Sequence, residues 1–129
     1  MRYVVSVMLV AAGIVHLLPL SGVLGIERLA DLYGLRFDEP NLAILMRHRA
    51  VLFGLTGSFL VYSAFRPALQ ALALAGGIIS VVSFLWLAAA TANYNAQIGR
   101  VFLVDVVVLV CLVVGAMAHV YMARQRKIA

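Results

Sequence analysis

Charge is what this sequence has least of. Charged side chains fill 12% of its 129 positions, and only five of them are acidic. A water-soluble domain carries about a quarter charged residues and roughly half apolar ones, whereas here 65% are apolar. Mean hydropathy is +1.08. A chain this short cannot hide so much apolar surface from water, so a soluble globular fold is excluded and lipid is the expected solvent for much of it. Cysteine is nearly absent. Cys111 stands alone inside an apolar run, which rules out an intrachain disulfide. Motifs of the common soluble enzymes are missing too: there is no GxGxxG, Walker A sequence, GxSxG or HExxH. The length allows one compact bundle, residues 1–129, and no separate soluble domain.

What is present is a series of apolar segments long enough to cross a bilayer, for which roughly 20 residues are needed. The first runs from about Tyr3 to Leu24, with Pro19 near its far end as a tolerated kink. Arg2 followed by an apolar stretch resembles a signal peptide. No small-x-small site ends the stretch, and His16-Leu17-Leu18-Pro19 extends it, so an uncleaved span is expected. Ile26, Leu29, Ala30 and Tyr33 then recur at helical spacing on one face, with Glu27, Arg28 and Asp31 on the other. This predicts a short amphipathic helix over about 26–34, stopped by Gly34, lying on the membrane surface or covering the bundle. Asp38-Glu39-Pro40 reads as a turn and Asn41 as an N-cap. Three further spans are expected at about 45–65, 68–92 and 101–122, with Pro67 opening the third. The fold class is therefore all-α: an integral membrane four-helix bundle with one surface helix between spans one and two. No internal duplication is evident.

The formal charge of +5 does not indicate nucleic acid. Arg124, Arg126 and Lys127 follow an apolar run, where cations usually flank a span. Basic residues near span ends tie between the two sides, and the unopposed C-terminal cluster tips the balance towards both termini being cytoplasmic.

Ionisable groups inside spans cost roughly 2.5–3.5 kcal/mol each on insertion scales and are site candidates by default. At about 1.5 Å rise per residue, His16, Arg47, His48, Arg49 and Asp105 all fall in the outer half of the bilayer. Trp86 reaches a similar level, with Asn93 and Tyr94 above it. These eight residues define an expected polar layer in which Asp105 pairs with Arg49 in preference to Arg47 and His16 completes the network. The plainer account is that the arginines snorkel to headgroups, the ion pair only satisfies itself and His16 is structural. No pair has the spacing of a helical metal site, so no metal or cofactor is expected. His119 faces as Asp105 does but near the opposite surface. Gly54, Gly57 and Ser58, and Gly76, Gly77, Ser80 and Ser83, form small-residue stripes that let helices approach closely.

His16-Leu-Leu-Pro-Leu-Ser-Gly-Val-Leu-Gly, Leu32-Tyr-Gly-Leu and the stretch Asn41 to Gly54 resemble the small bacterial four-span proteins of the broad DoxX-like type. The resemblance covers the first two spans and their connection. It implies a four-helix architecture and a bacterial inner membrane, and it supplies no catalytic residue. The function expected from these readings is non-enzymatic: binding of a hydrophobic or amphipathic small ligand, or of a protein partner, through the outer polar layer. Membrane lipids, and a second copy or another membrane protein, are the other partners considered. Two alternatives stand beside it, a membrane redox or transfer enzyme using His16, Arg49 and Asp105, and a structural subunit of a larger complex.

Overall fold

The computed structural model describes residues 2–91 and 93–128, with side chains over 3–91 and 93–125. These residues form helices and connecting turns: α1 (Arg2–Leu17), a 3₁₀ segment (Leu18–Val23), α2 (Ile26–Tyr33), α3 (Pro40–Ala64), α4 (Pro67–Ala90) and α5 (Ala96–Ile128). Four stretches are long and apolar enough to cross a membrane: Tyr3–Val23, Pro40–Ala64, Pro67–Ala90 and Ala96–Gln125. Around the bundle the order is α1, α3, α4, α5, with each helix packed on its two neighbours in that ring.

Several boundaries differ from the sequence expectation, each for a local reason. The first span is not one α-helix. Pro19 has no N–H to give to a carbonyl one turn back, so the chain tightens after Leu17 into the 3₁₀ segment. The second span starts at Pro40 rather than near 45, and its cap is Glu39, not Asn41. The Glu39 carboxylate accepts from the backbone N–H of Asn41 at 3.0 Å and of Leu42 at 2.7 Å. Those amide bonds hold its carboxyl below the usual carboxylate range. Proline at the first helical position loses nothing, because that N–H has no helical partner. The fourth span starts at Ala96 rather than 101 and continues as helix to Ile128. The expected end of the third span falls on Ala92, outside the described residues, as do the side chains of Arg126 and Lys127.

The bundle core is Val5, Leu9, Ala12, Leu60, Ala64, Ala73, Leu74, Val81, Val108, Leu112 and Ala118. Where α1 crosses α3, backbone lies close to backbone. A Cβ placed on Gly57 would lie 2.7 Å from the Gly13 carbonyl oxygen and 2.9 Å from Leu17 Cγ. Of the expected stripe on α3, Gly57 packs on Gly13 and Leu17 and Gly54 on Leu20, while Ser58 is exposed. Of the two glycines of α4, Gly77 packs inward, against Leu112 and Leu60, while Gly76 faces open space. At the end of the bundle bearing the termini, the Ala64 carbonyl near the end of α3 accepts from Ser6 Oγ at 2.7 Å and Gln70 Nε2 at 3.2 Å. These side chains satisfy a carbonyl that the helix end leaves without a helical donor. His119 is half-buried near the same end, with Nδ1 unpaired among the described residues.

At the other end α2 covers the bundle. Leu29 and Tyr33 are buried with Ala50 of α3, against Val23, Ile26, Phe37, Met46, Ile98 and Val101, while Glu27, Arg28 and Asp31 are exposed. Of the two placements expected for the amphipathic helix, this is the covering one. Gly34 ends α2 in the left-handed region, φ 63°, and a Cβ there would run into the Gln97 side chain of α5. Both the turn and the close approach call for glycine. Asn95 fastens the same junction. Its Nδ2 donates to the Tyr33 carbonyl at 2.8 Å, and its Oδ1 accepts from Ile98 N at 2.8 Å as the cap of α5.

Candidate functional site

The cover encloses a cavity of about 270 Å³ between α1, α2, α3 and α5. Its walls are mainly apolar, from Val15, Leu18, Pro19, Leu32, Phe53, Val101 and Val104. His16, Tyr33, Arg49, Gln97 and Asp105 also line it, and the exposed Asp31 and Arg100 complete the lining. Three of the eight residues expected to form one polar layer, His16, Arg49 and Asp105, therefore meet in a single space. They converge because α3 and α5 both begin well outside the apolar core. Arg49 and Asp105 each lie nine residues, about two and a half turns, into their helices.

His16 is 2% exposed. Its Nδ1 lies 2.9 Å from the Ala12 carbonyl oxygen. A carbonyl only accepts, so Nδ1 carries the proton, and in the neutral ring Nε2 is left as an acceptor. The ring leans on Phe53, with centroids 5.6 Å apart. Tyr33 is 3% exposed. Burial pushes its phenol above the usual range, opposed by the charge of Arg49 and reinforced by that of Asp105. The phenol accordingly stays protonated at neutral pH and acts as a donor.

Arg49 is held by rings rather than by a carboxylate. Its Cζ lies 5.5 Å from the ring centre of Tyr33, 5.1 Å from Phe53 and 5.9 Å from Phe84, within the range of cation–π attraction. The expected contact pair with Asp105 does not form. Among the described residues the one ion pair is Arg36–Asp38, at 3.3 Å on the surface, and Arg49 attracts Asp105 only through space. Arg47 does not pair with Asp105 either. It points away from the cavity and donates to the Val23 carbonyl from Nη2 at 2.9 Å and Nε at 3.3 Å, satisfying the end of the 3₁₀ segment.

The other expected members lie elsewhere. His48 is exposed. Trp86 is 69% exposed on the outer side of α4. Asn93 is exposed, with φ 74°, in the turn before α5. Tyr94 stacks on Phe102, with centroids 6.2 Å apart, and lines a second, more open cavity of about 540 Å³ between α3, α4 and α5. That cavity shares Arg49 and Phe53 with the first.

Sequence reasoning missed Tyr33, Gln97, Arg100 and Asn95. Tyr33 was counted only as part of an apolar face. Gln97 and Arg100 preceded a span expected to begin at 101. Asn95 is a good N-cap residue type, but it stands six residues before the apolar run that opens at Val101, so a span read from hydropathy leaves it in the loop. No three His, Cys, Asp or Glu side chains cluster closely enough to hold a metal ion among the described residues. Comparison of the chain with family models, curated proteins and solved structures gives no match.

Proposed function

We propose that this chain is an integral membrane protein that binds a small neutral amphipathic molecule in the cavity covered by α2. One observation carries the reading: a largely apolar space of about 270 Å³ into which an imidazole acceptor, a phenol and opposed charges converge. Its charges balance, Asp31 and Asp105 against Arg49 and Arg100, so a charged ligand would gain little from entering. A molecule with an apolar body and a head that both donates and accepts hydrogen bonds meets His16 Nε2, the Tyr33 hydroxyl and Gln97. The resemblance to DoxX-like proteins belongs to the same proposal, with the bacterial inner membrane as location and both termini cytoplasmic.

Native mass spectrometry of protein purified in mild detergent tests this. The expected result is a neutral small-molecule adduct on the wild type that is lost in Val104→Trp, where an indole fills the cavity from its partly exposed wall. An adduct retained by Val104→Trp, or none on the wild type, would refute the binding site. A second reading is supported by the same geometry, because His16 Nε2 and Asp105 set two proton acceptors on one cavity. A ligand recovered chemically altered would make the protein a membrane redox or transfer enzyme using His16, Arg49 and Asp105.

A further inference from the structure

Arg49 forms part of the wall between two cavities, and only one of them contains its counter-charge. Asp105 faces the first cavity, and no acidic residue lines the second. The rings of Tyr33, Phe53 and Phe84 take up the faces of the guanidinium. Its five N–H groups lie in its plane, and among the described residues none of them donates a hydrogen bond. An unspent fork of donors in an apolar bundle favours an oxygen anion, which it binds in a bidentate manner.

The remainder of the second cavity fits the rest of such a molecule. Ser80, Ser83, Leu87 and Thr91 follow one another at helical spacing and form a strip about 16 Å long on one face of α4. Phe84, Leu87 and Ala88 supply the apolar surface along it. The hydroxyls of Ser83 and Thr91 donate to their own helix, to Ser80 O at 2.8 Å and Leu87 O at 2.8 Å. They therefore do not compete with Arg49 for the head.

We propose that the second cavity is a lateral binding site for an oxyanion carried on an acyl chain, with Arg49 taking the head and the α4 strip taking the chain. This goes beyond the neutral ligand of the first cavity and does not depend on it. Because one guanidinium serves both walls, an anion in the second cavity draws on the charge that otherwise faces Asp105.

Native mass spectrometry of the full chain in a non-ionic detergent, titrated with dodecanoate or with dodecanol, tests the site. Dodecanoate is expected to bind at least tenfold more tightly than dodecanol. Arg49→Gln should erase that preference, Arg49→Lys should keep part of it, and Ser83→Phe, which fills the groove from its exposed rim, should weaken dodecanoate at least tenfold. Competition by phosphatidylglycerol distinguishes the source. Displacement of dodecanoate identifies a phospholipid head, and its absence identifies a free fatty acid. Equal binding of dodecanoate and dodecanol overturns the proposal, as does a preference that survives in Arg49→Gln. Should Arg49→Gln fail to fold, undiminished dodecanoate binding by Ser83→Phe overturns it. Val104→Trp should leave dodecanoate binding unchanged, so failure of the first cavity's reading is seen separately.

Discussion

The crossing of α1 and α3 permits a controlled measurement of what close packing contributes. In Gly57→Ala the new methyl would sit 2.7 Å from the Gly13 carbonyl oxygen and 3.0 Å from Leu17 N, both backbone atoms that no rotamer change removes. The helices must move apart by several tenths of an ångström. A gap of roughly 0.5–1 Å forfeits a quarter to a half of each contact's attraction, and overpacking of this kind costs about 1–3 kcal/mol. Alanine is also a better helix former than glycine, by about 0.8–1 kcal/mol, which would mask part of the loss. Gly76→Ala supplies the correction, because Gly76 is mid-helix in α4 and its Cβ would meet nothing within 4 Å. The difference between the two variants isolates packing, and it should fall near 1–3 kcal/mol. Equilibrium unfolding in mixed detergent micelles measures it. Equal stabilities for the two variants would sink the argument, since the helix-propensity gain is common to both. The crossing also lies one turn from His16 on α1 and from Phe53 on α3, so Gly57→Ala should weaken ligand binding in the first cavity as well as the bundle.

Two further outcomes follow from the ends of the helices. The depressed Glu39 carboxyl contributes to stability while ionised. That contribution is present above the unfolded carboxylate pKa, about 4.3, and is lost as pH falls through the lower folded value. Glu39→Ala should therefore lower the melting temperature at neutral pH and flatten its decline below about pH 4, and parallel pH profiles for variant and wild type would show that the cap contributes nothing. In a Cys111→Ser background, an impermeant thiol reagent on intact cells should label cysteine introduced by Arg36→Cys and spare that introduced by Arg124→Cys, and the reverse pattern would put both termini outside.

What the sequence made legible was mostly local. The alternation of faces in α2, the left-handed stop at Gly34 and the opening of α4 at Pro67 all depend on neighbours in the chain, and all stand in the structure. Depth is local too, since helical rise is uniform, and so His16, Arg49 and Asp105 could be set at one level before any packing was known. Which way each residue faces around its helix is not local. Arg47 and Arg49 differ by about 200°, so only one can turn inward. The choice is made by the Val23 carbonyl on one side and three rings from three helices on the other. Trp86 lines neither cavity and is exposed on the outer side of α4 for the same reason.

On the proposal that the chain spans a membrane, that loss of azimuth has a physical cause in the solvent itself. In water an apolar side chain gains by turning inward, so hydrophobic periodicity marks the core. In lipid that gain vanishes, and helices associate through close approach of small residues instead. The chain shows this at many positions, although Leu9, Leu60, Leu74 and Leu112 also fill its core. Among its buried positions are Ala12, Gly13, Ala50, Gly54, Gly57, Ala73, Gly77, Ala88 and Ala118, while Leu52, Leu55, Leu72, Ile79, Leu103 and Val107 face outward. On α4 the inward line reads Gln70, Ala73, Leu74, Gly77, Val81 and Ala88, and with Leu72, Ile79 and Val82 exposed on the other side apolar periodicity marks no particular face. Gly13, between ordinary apolar neighbours, gives no such signal alone, although it forms half of the backbone-to-backbone approach of α1 and α3. For such a chain the inward direction is better sought from glycine and alanine spacing. By that criterion Gly54 and Gly57 already turn α3 so that Ala50 and Leu60 face the bundle, with Phe53 beside Gly54 and Gly57 towards the cavity that receives Arg49.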